Sequence, residues 1–334
     1  MSAIAIGFRL PPYARFLARR IGQSLALVFC TVLITFTVIN LAPGDMVDVM
    51  AGEAGAADAG YIALLRQRYG LDQPVPVRLL HYVEQLGHFD FGYSFRHNKP
   101  VLQLIGERLG ATALLMGSST ILAITGAVLL GIMAARRLNT ATDGIISVLA
   151  LLAYATPVFW VGLMLILVFS VKLRWLPSGG METLFSGLTG PARFGDLAAH
   201  LVLPAITLAL FHLALYPRLL RASMLEVLRQ DFIRTARAKG LPERIVVGRH
   251  ALGNALLPLV TMVGMQLGAA LGGSVVVESV FAWPGLGRLA FDAVGERDLN
   301  LLVGIVLFSG LLVITVNLLV DLLYSWLDPR IETQ

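Results

Sequence analysis

The chain has 334 residues, a net charge of +5, 14% charged residues and a mean hydropathy of +0.76. Soluble domains carry about 25% charged residues, so lipid rather than water is the main solvent for this chain. A nucleic-acid binder would present a basic face with stacking aromatics; here the basic residues stand beside apolar runs instead. The single cysteine, Cys30, lies inside an apolar run. It cannot form an internal disulfide, no zinc-ligand spacing exists, and it reads as a small buried hydrophobe.

Arg15, Arg19 and Arg20 precede an apolar stretch over 21–39. That stretch is longer than the apolar core of a secretory signal, and Asn40-Leu41-Ala42-Pro43-Gly44 after it is a poor cleavage site. The Arg19-Arg20 pair could suggest twin-arginine export, but a chain full of spans has no use for it. The expectation is a retained first membrane helix. Six apolar runs, near 19–39, 112–135, 144–171, 199–219, 255–279 and 299–325, are each long enough to cross a hydrocarbon layer, which takes about 20 helical residues. They are continuous rather than alternating, which predicts helices and not barrel strands.

Six spans put both termini on one side. The segments on that side hold Arg9, Arg15, Arg19 and Arg20, then Arg136 and Arg137, then Arg218, Arg221, Arg229, Arg234, Arg237, Lys239, Arg244 and Arg249, and finally Arg330. These are fifteen of the twenty-six Lys and Arg residues, which predicts that both termini face the cytoplasm. Trp175, Trp283 and Trp326 fall near span ends, where interfacial aromatics are expected.

The first outer loop, 42–111, is too long for a simple connector. A Gly/Ala-rich stretch over 51–60, a helix near 62–69 stopped by Gly70, and a second amphipathic stretch after Pro74 and Pro76 predict a small folded extracytoplasmic cap. In the fifth span Gly264, Gly268 and Gly272 stand at four-residue spacing, a stripe that lets another helix approach closely. Packing within the chain, a subunit interface and a pore wall all fit that stripe.

The loop over 219–254 is the most informative segment. Leu225, Leu228 and Phe232 share one helical face, ringed by Arg229, Arg234, Arg237 and Lys239. Lys239-Gly240 suits a helix end, Pro242 suits the opening of a second helix, and Glu243 complements that helix's dipole. Two short rigid amphipathic helices are predicted. A basic loop resting on anionic lipid is the plainer alternative.

The run Asp231-Phe232-Ile233-Arg234-Thr235-Ala236-Arg237-Ala238-Lys239-Gly240-Leu241 closely resembles the EAA-type coupling motif of ABC importer permeases, in the form found in the dipeptide/oligopeptide/nickel permease family. The resemblance continues through Arg249-His250-Ala251-Leu252-Gly253-Asn254, Glu278-Ser279-Val280-Phe281-Ala282-Trp283-Pro284-Gly285-Leu286-Gly287-Arg288, and Leu327-Asp328-Pro329-Arg330. Leu41-Ala42-Pro43-Gly44-Asp45 and Tyr69-Gly70-Leu71-Asp72-Gln73-Pro74 extend it towards the N-terminus, so it covers nearly the whole chain.

The resemblance implies an all-α membrane protein: a type I ABC-importer transmembrane domain over 112–325, preceded by an N-terminal span (1–41) and the cap (42–111), and followed by a cytoplasmic tail (326–334). It implies that the motif loop docks in a groove of an ATPase subunit. Arg234, Thr235 and Ala236 then occupy the Glu-Ala-Ala positions, and Gly240 is the motif glycine. Glu226, Asp231, Arg237, Ala238 and Lys239 complete the expected coupling surface. Arg234 in place of Glu, and Gly253 where the general motif ends in Pro, favour the peptide/nickel branch. The implied partners are a second homologous permease, two ABC ATPase subunits and an extracytoplasmic solute-binding protein. Di- or oligopeptides come first as the implied cargo, with nickel chelates, glutathione or opine-like compounds behind.

The chain is not expected to be an enzyme by itself and needs no cofactor. Its three lysines, Lys99, Lys172 and Lys239, never follow a glycine, so the Gly-Lys-Ser/Thr of a phosphate-binding loop cannot be built. Gly285-Leu286-Gly287 lacks the third glycine and the strand context of a dinucleotide site. An ion-coupled secondary transporter is the alternative from another class, with His212, Glu278 and Asp321 as its few ionisable groups in spans. Gln266 and Glu278 are the candidate pathway-lining residues, because polar side chains in a span face protein or water.

Overall fold

The computed structural model describes residues 12–41, 73–94, 96–271 and 274–327. The expected helix near 62–69 and the Gly/Ala stretch before it lie outside these residues, as does Gly272. The side chains of Asp321 and Trp326 are likewise outside what is described. The chain divides into two compact units, one formed by 1–107 with 292–334 and the other by 108–291.

In the first unit, α1 (Pro12–Leu41) packs along α13 (Leu299–Leu327). Gly310 permits that approach, since a Cβ there would stand 3.2 Å from the Thr31 methyl group. Only one side of α1 is covered, so Cys30 is exposed rather than buried as expected. The amphipathic stretch after Pro74 is present as α2 (Val75–Gly87), and Tyr82 packs on Phe36 of α1 with ring centroids 5.7 Å apart. A two-residue antiparallel hairpin follows, β1 (Tyr93–Ser94) against β2 (Lys99–Pro100), which the hydropathy did not anticipate. Its anchor is Asp298, which accepts from Ser94 Oγ at 2.5 Å and from the Leu301 backbone N–H at 3.0 Å. Asp298 thereby caps the start of α13.

The second unit contains most of α3 (Val101–Arg136), then α4 (Ala141–Ala155), α5 (Val158–Lys172), α6 (Gly190–Leu213), α7 (Tyr216–Val227), α8 (Asp231–Ala238), α9 (Glu243–Ala255), α10 (Leu257–Leu271), α11 (Val275–Val280) and most of α12 (Leu286–Gly295). Among the described residues, four helices are long and apolar enough to cross a membrane, within α1, α3, α6 and α13; the pairs α4–α5 and α9–α10 make up to six if each is one bent span. All six expected spans therefore have helical counterparts, but three differ in form. The third is bent by 105° at Thr156-Pro157, because proline lacks an N–H and disfavours helix in the residue before it. The fourth ends at Leu213 instead of 219, and a new helix opens with Pro217 in its first turn. The fifth does not run to 279: α10 ends at Leu271, and Ser274 caps the separate α11 by accepting from the Val277 N–H.

Two apolar cores hold this unit. One joins Tyr216, Leu220, Met224 and Val227 of α7 to Ile233 and Ala236 of α8, Val246, Val247 and Ala251 of α9, and Ala123 and Ala127 of α3. The other joins Leu115 and Met116 of α3 to Leu203 of α6, Val277 of α11, Phe281 and Trp283. Trp283, expected at an interface, is fully buried in that second core, and its Nε1–H donates to the Ala111 carbonyl at 2.9 Å. The turn before α12 draws it inward, and the carbonyl satisfies its only polar atom.

Candidate functional site

α8 is eight residues long and sharply two-faced. Ile233 and Ala236, one turn apart, are buried in the core with Met224 and Val227, while Asp231, Phe232, Arg234, Thr235, Arg237 and Ala238 point outward. Of the expected apolar face, Leu225 and Leu228 pack against this core but Phe232 does not. The helix breaks between Val227 and Asp231, and Phe232 is 40% exposed. Ile233 takes the inward place because a new helix starting at Asp231 resets the register. The reset shows in the sequence only as Gln230-Asp231, a helix-opening pair inside an otherwise helical pattern.

The end of α8 follows its residues closely. Gly240 has φ +74°, its N–H bonds the Arg237 carbonyl at 2.9 Å, and the Leu241 N–H reaches the Ala236 carbonyl at 3.4 Å. Those paired bonds are a Schellman stop. A side chain at this φ costs about 1 kcal/mol relative to glycine, although no atom lies within 4 Å of where its Cβ would be. Pro242 then stands before α9, and Glu243 occupies its first turn. Three helices, α7, α8 and α9, therefore occupy the loop expected to hold two. The first π-helical turn of α9, at Val246–Ala251, lies against α8.

The charges on α8 are at its surface. Arg234 Nη1 stands 3.3 Å from Asp231 Oδ1, with both side chains largely exposed, a geometry that contributes little to stability. Arg237 makes two bonds to Glu243, at 2.7 and 3.2 Å across the Gly240 turn. The Glu243 carboxylate raises the Arg237 pKa above its ordinary value, mainly through these bonds. Lys239 and Glu226 are exposed. The whole arrangement is a short cationic face fixed on an apolar mount.

The two candidate pathway residues have different surroundings. Gln266 on α10 is partly buried, and its Oε1 accepts from Tyr216 Oη at 2.8 Å. Tyr216 in turn stacks on His212 with ring centroids 5.2 Å apart, so His212 is a packed residue. Glu278, expected beside the pathway, is instead wholly enclosed. Its carboxylate accepts from Thr112 Oγ1 at 3.0 Å and from the Arg288 N–H at 2.9 Å, while Thr112 Oγ1 accepts from the Leu286 N–H at 2.8 Å. A Cβ on Gly285 would collide with this carboxylate, and one on Gly287 would come within 2.7 Å of the Val275 backbone nitrogen. The Gly285-Leu286-Gly287 run is thus the close backbone approach that seats α12 on Glu278. Of the small-residue stripe, Gly264 is buried and Gly268 lies within α10.

Among the charged contacts that the sequence did not announce in this unit, one joins two helices far apart in the chain. Arg221 of α7 donates from Nε and Nη2 to the two oxygens of Asp143 on α4, at 2.8 and 2.7 Å. An acidic residue at the start of an apolar run and an arginine on a later helix were the available signals. Nothing local connects residues 78 positions apart.

The sequence profile of the family described as binding-protein-dependent transport system inner membrane component matches residues 127–333, and the profile of that family's N-terminal segment matches 13–116. The oligopeptide transport system permease protein AppB of Bacillus subtilis is 40% identical over 321 residues, covering 96% of this chain and 99% of that protein. The dipeptide transport system permease protein DppB of Escherichia coli K12 is 40% identical over 335 aligned positions, covering 95% and 98%. A Brucella ovis protein provisionally named a peptide permease is 42% identical over 319 residues, covering 95% and 99%. Matched over nearly its whole length by these relatives, and built on several apolar helices, the chain is a multi-pass membrane protein that belongs to the binding-protein-dependent transport system inner membrane component family.

Proposed function

We propose that the chain is one permease subunit of an ABC importer for di- or oligopeptides, forming half of the translocation path, with α8 as the helix that an ATPase subunit engages. The observation that carries this reading is the build of α8: an exposed cationic face on a buried apolar mount. A loop serving only to hold anionic lipid needs neither the Schellman stop nor the shared core with α7 and α9. Family membership supports ATPase and solute-binding partners outside this chain, and the printed names of AppB and DppB support peptides as the cargo. Two ATPase subunits and a second homologous permease complete the proposed assembly. The charge distribution supports cytoplasmic termini, with α8 on the cytoplasmic side.

In this reading residues 112–325 form the ABC transmembrane type-1 domain, and Arg234, Thr235, Arg237, Ala238 and Lys239 make the ATPase contact with Asp231 and Glu226 at its margin. Ala236 and Gly240 hold the helix in shape. Gln266 is the pathway residue in this reading, while Glu278, enclosed within the chain, holds the turn before α12. Gly264 and Gly268 are proposed to serve helix packing. The importer, with all subunits in liposomes, tests the assignment. Arg234→Glu and Gly240→Asp should leave the chain at normal membrane levels while abolishing peptide uptake and the ATPase stimulation that loaded binding protein evokes. Uptake and stimulation at wild-type values in both variants would remove α8 from the coupling role.

A further inference from the structure

α4 is a helix with little to hold it. Of its fifteen residues only Asp143 and Ala150 are buried. Ile145, Val148, Leu149, Leu151 and Leu152 are each more than half exposed within the chain. One end of α4 is the 105° bend at Thr156-Pro157. The other end is tied by Asp143, whose Oδ2 also accepts from the Asn139 N–H at 3.2 Å and so stiffens the turn that opens the helix.

Arg221 completes that tie from α7. Bidentate guanidinium–carboxylate contact fixes orientation as well as distance. The side chain of Asp143 is only 9% exposed and that of Arg221 29%, so water competes for the pair far less than at Arg234–Asp231. α7 is continuous with the α8 mount, since Met224 and Val227 share one core with Ile233 and Ala236. The same helix presses Leu220 against α3, where a Cβ on Gly131 would lie 3.0 Å from that leucine. α8 and α7 thus share packed side chains, and Arg221 is a charged link from α7 to α4.

We propose that the Asp143–Arg221 pair is the strut that couples α8 to the bent α4–α5 segment, with both residues acting as positioning residues for transport. The proposal rests on the reading of α8 given above. Neither residue belongs to the proposed ATPase contact on α8, so loss of the pair should separate ATP hydrolysis from movement instead of abolishing ATPase docking.

The complete importer in liposomes provides two readouts: peptide accumulated per ATP hydrolysed, and the ATP-dependent displacement of a spin label at Leu149 on α4 from one at Leu122 on α3. Asp143→Asn and Arg221→Lys should each lower the transport-to-hydrolysis ratio by about fivefold or more, the scale of an ordinary allosteric coupling, and abolish the label displacement while hydrolysis continues. The exchange Asp143→Arg with Arg221→Asp should recover a large part of both. A single variant that does not reach the membrane is replaced by Asp143→Glu, which keeps the charge but misplaces it, with the same expected fall in ratio. An unchanged ratio and displacement in the variants would overturn the strut. Absence of peptide uptake by the wild type would sink the peptide reading instead, and the label displacement would then judge the strut alone.

Discussion

The Glu278 turn and the α8 helix are built from similar residues to opposite ends. At the Glu278 turn a carboxylate, a threonine hydroxyl and two backbone N–H groups satisfy one another in a space that glycines at 285 and 287 leave open. Around α8 the charged side chains are turned outward, and apart from the Arg237–Glu243 bridge the residues there make only loose ionic contacts within the chain. A buried charge must find its partners inside the fold, so the first region is complete in itself. An exposed cationic helix leaves its charges open to a partner, which is the basis of the coupling role proposed for the second region. That contrast separates position-holding charge from contact-making charge in a chain where both carry family signatures.

The largest expected effect falls on the enclosed side of the comparison. Glu278→Ala leaves the Arg288 N–H and the Thr112 O–H without their acceptor, at a cost of about 3 kcal/mol or more. Thermal unfolding of the detergent-solubilised chain should move down strongly, with a matching fall in membrane abundance. A normal transition with selectively lost transport would mean that Glu278 acts on the solute after all. An intermediate effect belongs to Gly240→Ala, which forces a side chain into φ +74° and should cost about 1 kcal/mol. Proteolysis at the α8–α9 turn, compared with wild type, measures it. The smallest stability effect should come from Arg234→Ala, less than about 0.5 kcal/mol, because Asp231 is its exposed partner. Transport by that variant should nonetheless fall well below wild type, and a thermal shift comparable to that of Glu278→Ala would erase the distinction between the two regions.

Much of the shape of the α8 segment was legible in the sequence because its signals are local. The stop at Lys239-Gly240, the restart at Pro242 and the outward charges of α8 depend on residues within a few positions of one another. Phe232 was placed inward and Ile233 was overlooked, since the extra break at Leu228–Gln230 shifts the register and helical periodicity cannot be carried across it. Glu278 was the opposite case. Its sequence context, an acidic residue at the end of an apolar run, is equally compatible with a water-filled path and a closed hydrogen-bonded turn. Thr112, 166 residues away, decides between them.

By itself the sequence determined the solvent, the approximate place of the apolar helices, and the family to which they belong, because hydropathy, charge placement and short motifs act over one helix or less. The tertiary structure decided which of those helices bend, that Trp283 and Glu278 lie inside, that Cys30 does not, and that Arg221 meets Asp143. Each of those outcomes depends on which surfaces of separate helices meet, and on whether a polar atom removed from solvent finds its partner on another helix.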